Sequence, residues 1–213
     1  MQVLKRIGLL GGTFDPVHYG HLRTALEIKN ALKLDELRLI PCAEPVHRAA
    51  TIASAEQRLL LLKMALTEFP EMQVDDSEIR RGGKSWTVDT VKDFAEQEPA
   101  ASFFLLLGAD AYAGFTDWHQ WSIILQLANL IVMRRPGYQI NRKSASGKLL
   151  EQHEVKSISD LADLKAGGIL IYDVMPSAIS SSEIRQRLRE QKPVDHFLPP
   201  AVLKGIKDFS LYQ

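Results

Sequence analysis

The chain has 213 residues, 46% of them hydrophobic, with 26 Lys plus Arg against 26 Asp plus Glu. This length allows one large domain or two small ones around a sizeable core, and the apolar content excludes a disordered chain. The even charge argues against an extended nucleic-acid or anionic-membrane surface while leaving room for a local basic pocket, and the single cysteine, Cys42, excludes an intrachain disulfide framework or a cysteine-rich metal site.

In chain order, Lys5 and Arg6 precede only the four apolar residues 7–10 before Gly11 and Gly12, which is too short for a signal segment. A strand is predicted over 6–10 and a helix over 21–32, where Leu22, Ala25, Leu26 and Leu32 share a face. A second strand covers 36–41 and stops at Pro41. A helix over 54–66 opens with the capping box Ser54-x-x-Gln57. A strand at 72–76 is followed by a helix at 87–97, with Val88, Val91 and Ala95 on its apolar face. The run "SFFLLLG" (102–108) reads as the central strand, buried on both faces and far below the ~20 residues of a membrane span. A helix at 120–128, strands at 129–133 and 168–174, and helices at 181–190 and 200–209 complete the pattern. Strands alternating with helices, with the strands continuously apolar, predict an α/β fold. The expected architecture is a doubly wound, mostly parallel sheet with helices on both faces. The chain reads as one domain over 1–213 with an irregular insertion at about 137–167. That stretch is polar with room for one helix, and Ser144 to Gly147 is expected to be its mobile middle. Cytoplasmic residence is expected, and so are the absence of membrane and nucleic-acid partners and room for a homo-oligomer.

The chemistry concentrates in "GGTFDPVHYGHL" (11–22), at the junction of the first strand and helix. In a doubly wound sheet, ligands sit beyond the carboxyl ends of the strands. Gly11 and Gly12 let a ligand approach the backbone, and a helix start offers unpaired N–H groups to phosphate. His18 and His21, three residues apart, share a helical face and are placed to stabilise phosphate charge together. The bland reading makes His18 a turn cap and His21 an ordinary helix histidine; the pairing inside a glycine-rich turn favours the phosphate reading. The glycine spacing fits neither the dinucleotide fingerprint nor the Walker loop. Zinc is disfavoured because no third ligand lies nearby in sequence. Asp15, before Pro16, reads as a turn residue bonding its own backbone, with a catalytic-base role as the secondary alternative. Cys42 reads as a buried or loop thiol. Segment 42–53, with Pro45, His47 and Arg48, reads as a loop that closes on a nucleotide.

A second cluster, "ISSSEIRQRL" (179–188), places Ser180-x-x-Glu183 as a capping box, with Ser181, Ser182 and Arg185 at a helix N-terminus. Taken alone it is as easily an ordinary cap with a surface arginine.

Together the two clusters resemble the H-x-G-H nucleotidyltransferase superfamily. "GTFDPVHYGH" matches its first signature, and "ISSSEIR" its second, with Ser182 where threonine is usual. The resemblance spans nearly the whole chain and is strongest to the bacterial nicotinate-nucleotide adenylyltransferases. It includes "PVHR" (45–48), where the family more often ends in His-Lys, "SWTVDTV" (85–91), "GADAYAGFTDWHQW" (108–121) and "VMRRPGY" (132–138). The resemblance implies a Rossmann-like doubly wound fold and adenylyl transfer from ATP to nicotinate mononucleotide in NAD biosynthesis, with Mg²⁺ carried mainly by the ATP phosphates. His18, His21 and Arg185 are then catalytic, with His21 best placed for the α-phosphate. Gly11, Gly12, Thr13 and Phe14 line the junction of the two nucleotides, and Arg48 reaches phosphate. Ile179, Ser181 and Ser182 hold the triphosphate with Arg185. Gly108 and Asp110 serve a ribose hydroxyl, Thr87 and Trp118 frame the pyridine ring, and Arg135 adds positive charge. Singly, Trp86 and Trp118 also read as core or rim aromatics, Asp110 as a helix N-cap and Arg135 as a solvated loop residue. Rival readings are a transferase acting on nicotinamide mononucleotide, pantetheine phosphate or a cytidylyl group, a tRNA synthetase lacking its anticodon domain, and a non-catalytic nucleotide sensor.

Overall fold

The computed structural model describes residues 4–46, 51–162, 164–175 and 179–213. Its elements are β1 (Lys5–Gly12), α1 (Tyr19–Leu32), β2 (Glu36–Pro41), α2 (Ala55–Ala65), β3 (Gln73–Val74), α3 (Ser77–Arg81), α4 (Thr87–Gln97), β4 (Ala101–Gly108), α5 (Ala109–Ala113), α6 (Trp121–Leu127), β5 (Ala128–Arg134), α7 (Ala145–His153), β6 (Glu154–Val155), α8 (Ile158–Ala162), β7 (Ile169–Asp173), α9 (Ser181–Arg189) and α10 (Pro200–Asp208). The strands form a seven-stranded parallel sheet in the order β3-β2-β1-β4-β5-β7-β6. The α/β reading of the alternating pattern holds, and the fold is Rossmann-like, as the resemblance implies. Among the described residues, no helix is long and apolar enough to cross a membrane.

The chain gathers into two compact units, Met1–Leu10 with Glu27–Leu37 and Trp86–Pro176, and Gly11–Leu26 with Arg38–Ser85 and Ser177–Gln213. In the first, β1 pairs with β4 from Lys5↔Ala101 to Leu9↔Leu105, and β4 pairs with β5 from Phe103↔Ala128 to Gly108↔Met133. Ile7, Leu9, Phe103 to Leu107 and Leu130 to Val132 are buried, so these strands are covered on both faces, as continuous apolar runs require. On α4, Val88, Thr90, Val91 and Phe94 are buried, and the Phe94 ring stacks on Phe103 at 6.2 Å between centroids. A polar pin crosses this core. Buried Asn129 donates to Leu164 O (3.1 Å) and Ser102 Oγ (3.4 Å) and accepts from Gly168 N (2.9 Å), so its amide enters the interior with its hydrogen bonds made.

The stretch expected to be irregular instead holds two helices and a short strand. Ser144 caps α7, its hydroxyl accepting from Gly147 N at 3.0 Å. Gly147 serves packing: a Cβ there would lie 2.6 Å from the Arg142 backbone. Buried Ser146 donates to Ala113 O (2.9 Å), and Tyr112 donates its phenol to Ser146 O (2.9 Å). Burial pushes the Tyr112 pKa up to about 12, so the phenol stays a donor at neutral pH. The polar composition of 137–167 misleads because its small residues satisfy tight contacts and a cap.

In the second unit, α2 carries the full capping box expected at Ser54: Gln57 N donates to Ser54 Oγ (3.2 Å) and Ser54 N donates to Gln57 Oε1 (2.9 Å). Leu61, Leu62 and Ala65 of α2 and Val202 and Ile206 of α10 are buried. Each such Leu or Ile contributes about 1.5–3 kcal/mol on leaving water. Gly205 lets the two helices approach, since a Cβ there would lie 2.7 Å from Leu61 Cδ2. Pro200 opens α10, where a missing N–H costs nothing.

Candidate active site

In the second unit the chain leaves β1 at Gly12 and turns through residues 13–18 before α1. A Cβ on Gly12 would lie 3.1 Å from the Phe14 ring, whereas one on Gly11 would meet nothing within 4 Å. Gly12 is thus fixed by packing against Phe14, and Gly11 leaves an open, exposed stretch of backbone. Phe14 is buried and has φ 49°, a left-handed conformation that costs a side-chain-bearing residue energy and that the surrounding turn must hold. The Asp15–Pro16 peptide is cis.

His18 is buried and His21 half-buried. Their rings stack with centroids 3.8 Å apart and planes 25° apart, and the Phe14 ring meets His21 edge-on at 5.2 Å. The three-residue spacing therefore brings both imidazoles onto one face. The helix start is anchored by Tyr19 N donating to Phe197 O at 3.0 Å.

The start of α9 is joined to this turn. Ser181 Oγ donates to Pro16 O (3.0 Å), and Arg185 Nη1 donates to Asp15 O (2.7 Å). Ser180 caps the helix, accepting from Glu183 N (3.2 Å), and its hydroxyl lies 3.3 Å from that of Ser182. Of the capping box expected here, the serine half is present. The Glu183 carboxylate instead takes Arg187 Nε at 3.0 Å, a pair one helical turn apart. Ile179, half-buried, leads into the cap. Two imidazoles, an arginine, two serine hydroxyls and two helix N-termini thus gather around one turn, an arrangement suited to a polyanion.

Two residues here exceed what the sequence suggested. Asp15 was expected to bond its own backbone. Its carboxylate instead takes Ile52 N (2.9 Å), Ala53 N (3.1 Å) and the Tyr212 hydroxyl (2.7 Å), partners too distant in sequence for any local pattern to reveal. Arg58, missed in the sequence, is fully buried. Its guanidinium donates to Thr13 O (2.8 Å), Cys42 O (2.7 Å), Ala43 O (3.0 Å) and Ala53 O (3.3 Å), binding the turn to both ends of segment 42–53. The available signal was its register: Arg58 falls on the stripe of Leu61, Leu62 and Ala65, where an apolar residue belongs. Cys42 is buried as expected, and burial pushes its thiol pKa up. Arg48 and His47 lie outside the described residues.

In the first unit, Thr87 is the first residue of α4 and Trp86 its N-cap, with Asp89 N donating to Trp86 O at 3.1 Å. The Trp86 ring meets the His119 ring at 4.9 Å, and Lys92 Nζ donates to Gln120 Oε1 at 2.9 Å, so the α4 start and residues 118–120 lie together. Trp118 is half-buried against Phe115, with ring centroids 5.5 Å apart. Gln120 takes φ 50° to start α6. At the carboxyl end of β4, Gly108 is the N-cap of α5, and exposed Asp110 lies in that helix's first turn, so Asp110 is not the cap. A Cβ on Gly108 would collide with the Asp110 carboxylate. Arg135, just past the end of β5, is exposed.

The cytidylyltransferase-like family model matches residues 9–187. A protein of Hydrogenovibrio crunogenus named "Probable nicotinate-nucleotide adenylyltransferase" is 40% identical over 213 residues, covering all of both chains. The chain belongs to the nicotinate-nucleotide adenylyltransferases. It is accordingly a nucleotidyltransferase. A Pseudomonas fluorescens protein of the same printed name is 42% identical over 212 residues, 98% of each chain. Among solved structures, Plasmodium falciparum nicotinic acid mononucleotide adenylyltransferase complexed with NaAD aligns with a TM-score of 0.73 at 19% identity. The alignment covers 98% of this chain and 97% of that one. At that identity the likeness speaks to the adenylyltransferase fold alone.

Proposed function

We propose that the chain transfers the adenylyl group of ATP to nicotinate mononucleotide, releasing pyrophosphate and forming nicotinate adenine dinucleotide. The observation that carries the reading is the stacked His18–His21 pair on a turn to which Ser181 and Arg185 are bonded. It is supported by the full-length relatives that carry this activity in their names.

A phosphate oxygen of the mononucleotide attacks the α-phosphorus of ATP in line. A new P–O bond forms as the bond from that phosphorus to the β-bridging oxygen breaks, and pyrophosphate departs with its electron pair. No protein nucleophile is required. The protein positions two polyanions and offsets the charge that grows on the phosphoryl oxygens and the leaving group. His21, with His18 stacked on it, serves the α-phosphate. Arg185 and the α9 start, with Ser181, Ser182 and Ile179, serve the β- and γ-phosphates, and Arg48 adds positive charge. Gly11, Gly12, Thr13 and Phe14 give the reacting phosphates close access to backbone. Asp110, kept clear by Gly108, accepts ribose hydroxyls. Thr87, at the start of α4, offers a helix-terminal N–H to the pyridine carboxylate, Trp118 stacks on the ring, and Arg135 contributes positive potential.

Magnesium enters as part of the MgATP substrate. The Asp15 carboxylate beside the turn is already engaged by two amides and a phenol, so the ion would be carried mainly by phosphate oxygens and water.

The test is to incubate the protein with MgATP and, separately, nicotinate mononucleotide, nicotinamide mononucleotide and pantetheine phosphate, following dinucleotide and pyrophosphate. Product from the nicotinate substrate alone, or far faster from it, is expected. No product, with no pyrophosphate exchange into the dinucleotide, would leave only a nucleotide sensor.

A further inference from the structure

We propose that Tyr212 is a positioning residue for triphosphate binding: its hydroxyl, given to the Asp15 carboxylate, keeps that carboxylate from drawing Arg185 away from the nucleotide. The inference rests on the reading of the second unit's turn as the triphosphate site.

A carboxylate beside a polyanion site is a liability unless its charge is met elsewhere. Asp15 meets this condition with neutral donors. Oδ2 takes Ile52 N at 2.9 Å, and Oδ1 takes Ala53 N at 3.1 Å and the Tyr212 hydroxyl at 2.7 Å, the shortest of the three. Arg185 is anchored on the same residue in a different way. Its Nη1 donates to the Asp15 backbone oxygen at 2.7 Å and remains 3.9 Å from Oδ2, at the outer edge of an ion pair. The guanidinium is therefore held by one N–H, with its other donors uncommitted to the carboxylate.

Tyr212 is well suited to this task. It is buried, so water cannot replace its hydroxyl if it is removed. Burial and the adjacent carboxylate push its pKa far above the ordinary phenol range, so it donates at every working pH. Its φ of 65° turns the backbone after α10, in the segment that carries the ring to Asp15. Without the hydroxyl, the carboxylate loses its closest donor; Arg58 is committed to four carbonyls, and Arg185, already 3.9 Å from Oδ2, is a cation placed to move in and compensate. A closer Arg185–Asp15 pair then competes directly with the triphosphate.

The experiment is titration calorimetry of the full chain with MgATP, followed by steady-state kinetics varying each substrate in turn. Tyr212→Phe is expected to weaken MgATP about 10-fold while the KM for the mononucleotide stays within twofold. In an Arg185→Met background the same change is expected to add less than twofold, because the residue through which it acts is gone. Equal losses for both substrates, unchanged ATP affinity, or additive losses in the double variant would each overturn the proposal. If Tyr212→Phe does not fold, 3-fluorotyrosine placed at position 212 keeps the ring and strengthens the donor. ATP affinity equal to or tighter than that of the unmodified chain supports the role, and a loss of twofold or more sinks it. A wild type that makes no dinucleotide defeats the functional reading; an active wild type whose Tyr212→Phe variant binds ATP normally defeats this inference alone.

Discussion

The turn of the second unit and the α4–α6 region of the first are built in opposite ways. Around the turn, Asp15, His18 and Arg58 are buried, and the supports of Asp15 and Arg58 come from segments far along the chain. Around the start of α4, the half-buried rings of Trp86 and Trp118 meet exposed His119 and buried Phe115 respectively, with Lys92 reaching Gln120. The first arrangement fixes charges before a substrate arrives, as stabilising a transition state demands. The second sets half-buried indole rings where, in the proposed function, a planar ligand stacks. On that reading the buried turn serves rate, and the more exposed rings serve recognition.

That division is broken or sharpened by four measurements. The largest effect is expected for His21→Ala, which should lower kcat by roughly 10²-fold or more with the thermal transition preserved. Near wild-type turnover would remove His21 from the phosphate machinery.

Next is selectivity. In the proposed function the α4 start presents N–H donors to the substrate's carboxylate, and a carboxamide turned toward them would leave groups mismatched at about 1–3 kcal/mol each. The ratio of kcat/KM for nicotinate over nicotinamide mononucleotide should be on the order of 10². Trp118→Leu should erode it chiefly through KM, and a ratio near unity would assign the ring-binding role elsewhere.

Third, Arg58→Met should destabilise the fold by about 3 kcal/mol, since it strands several buried carbonyls at once. Denaturant unfolding measures this, and a loss below about 0.5 kcal/mol would show that the carbonyls find other partners.

The smallest effect belongs to an ion cluster in the first unit. Arg142, helped by Lys156, holds the Glu154 pKa down to about 2, from an ordinary 4.5. Because the folded value is depressed, the stabilisation is complete above about 4.5 and is lost as pH falls through about 2. Glu154→Gln should therefore lower Tm at pH 7 by about 2 °C or less, a difference that closes at pH 2. An equal difference at both pH values would mean that packing, not charge, is at work.

The sequence exposed what is periodic and local. β2 at 36–41 and α4 at 87–97 have the bounds that their apolar patterns predict, and strands 101–108 and 128–134 differ by a residue or so. Short elements escaped. The five-residue helices α3 and α8 complete barely one turn, too few residues to display an apolar face, and α5 surfaced only in the alternative reading of Asp110 as a helix N-cap. Around Ser144 to Gly147 small residues suggested mobility, but they serve as a cap and as close contacts. The site divides likewise. The histidine pair, the serine cap and Arg185 were legible because helix starts impose fixed spacing. Arg58 and Tyr212 were not, because a buried arginine on an apolar stripe and a tyrosine after the last helix acquire meaning only through partners elsewhere in the chain. Asp15 lies between these cases, visible as a residue of the motif while its bonding was not.

The bond from Tyr212 to Asp15 spans 197 positions of sequence. A ribosome adding about 5–20 residues per second therefore exposes the histidine turn some 10–40 s before the phenol that completes it exists. Throughout that interval the nascent chain holds the turn with Asp15 short of one donor. On the proposed role of Tyr212, competence to handle a triphosphate arrives late in synthesis, when α10 and the segment after it have folded back, and a chain interrupted before Tyr212 carries the histidines without that support.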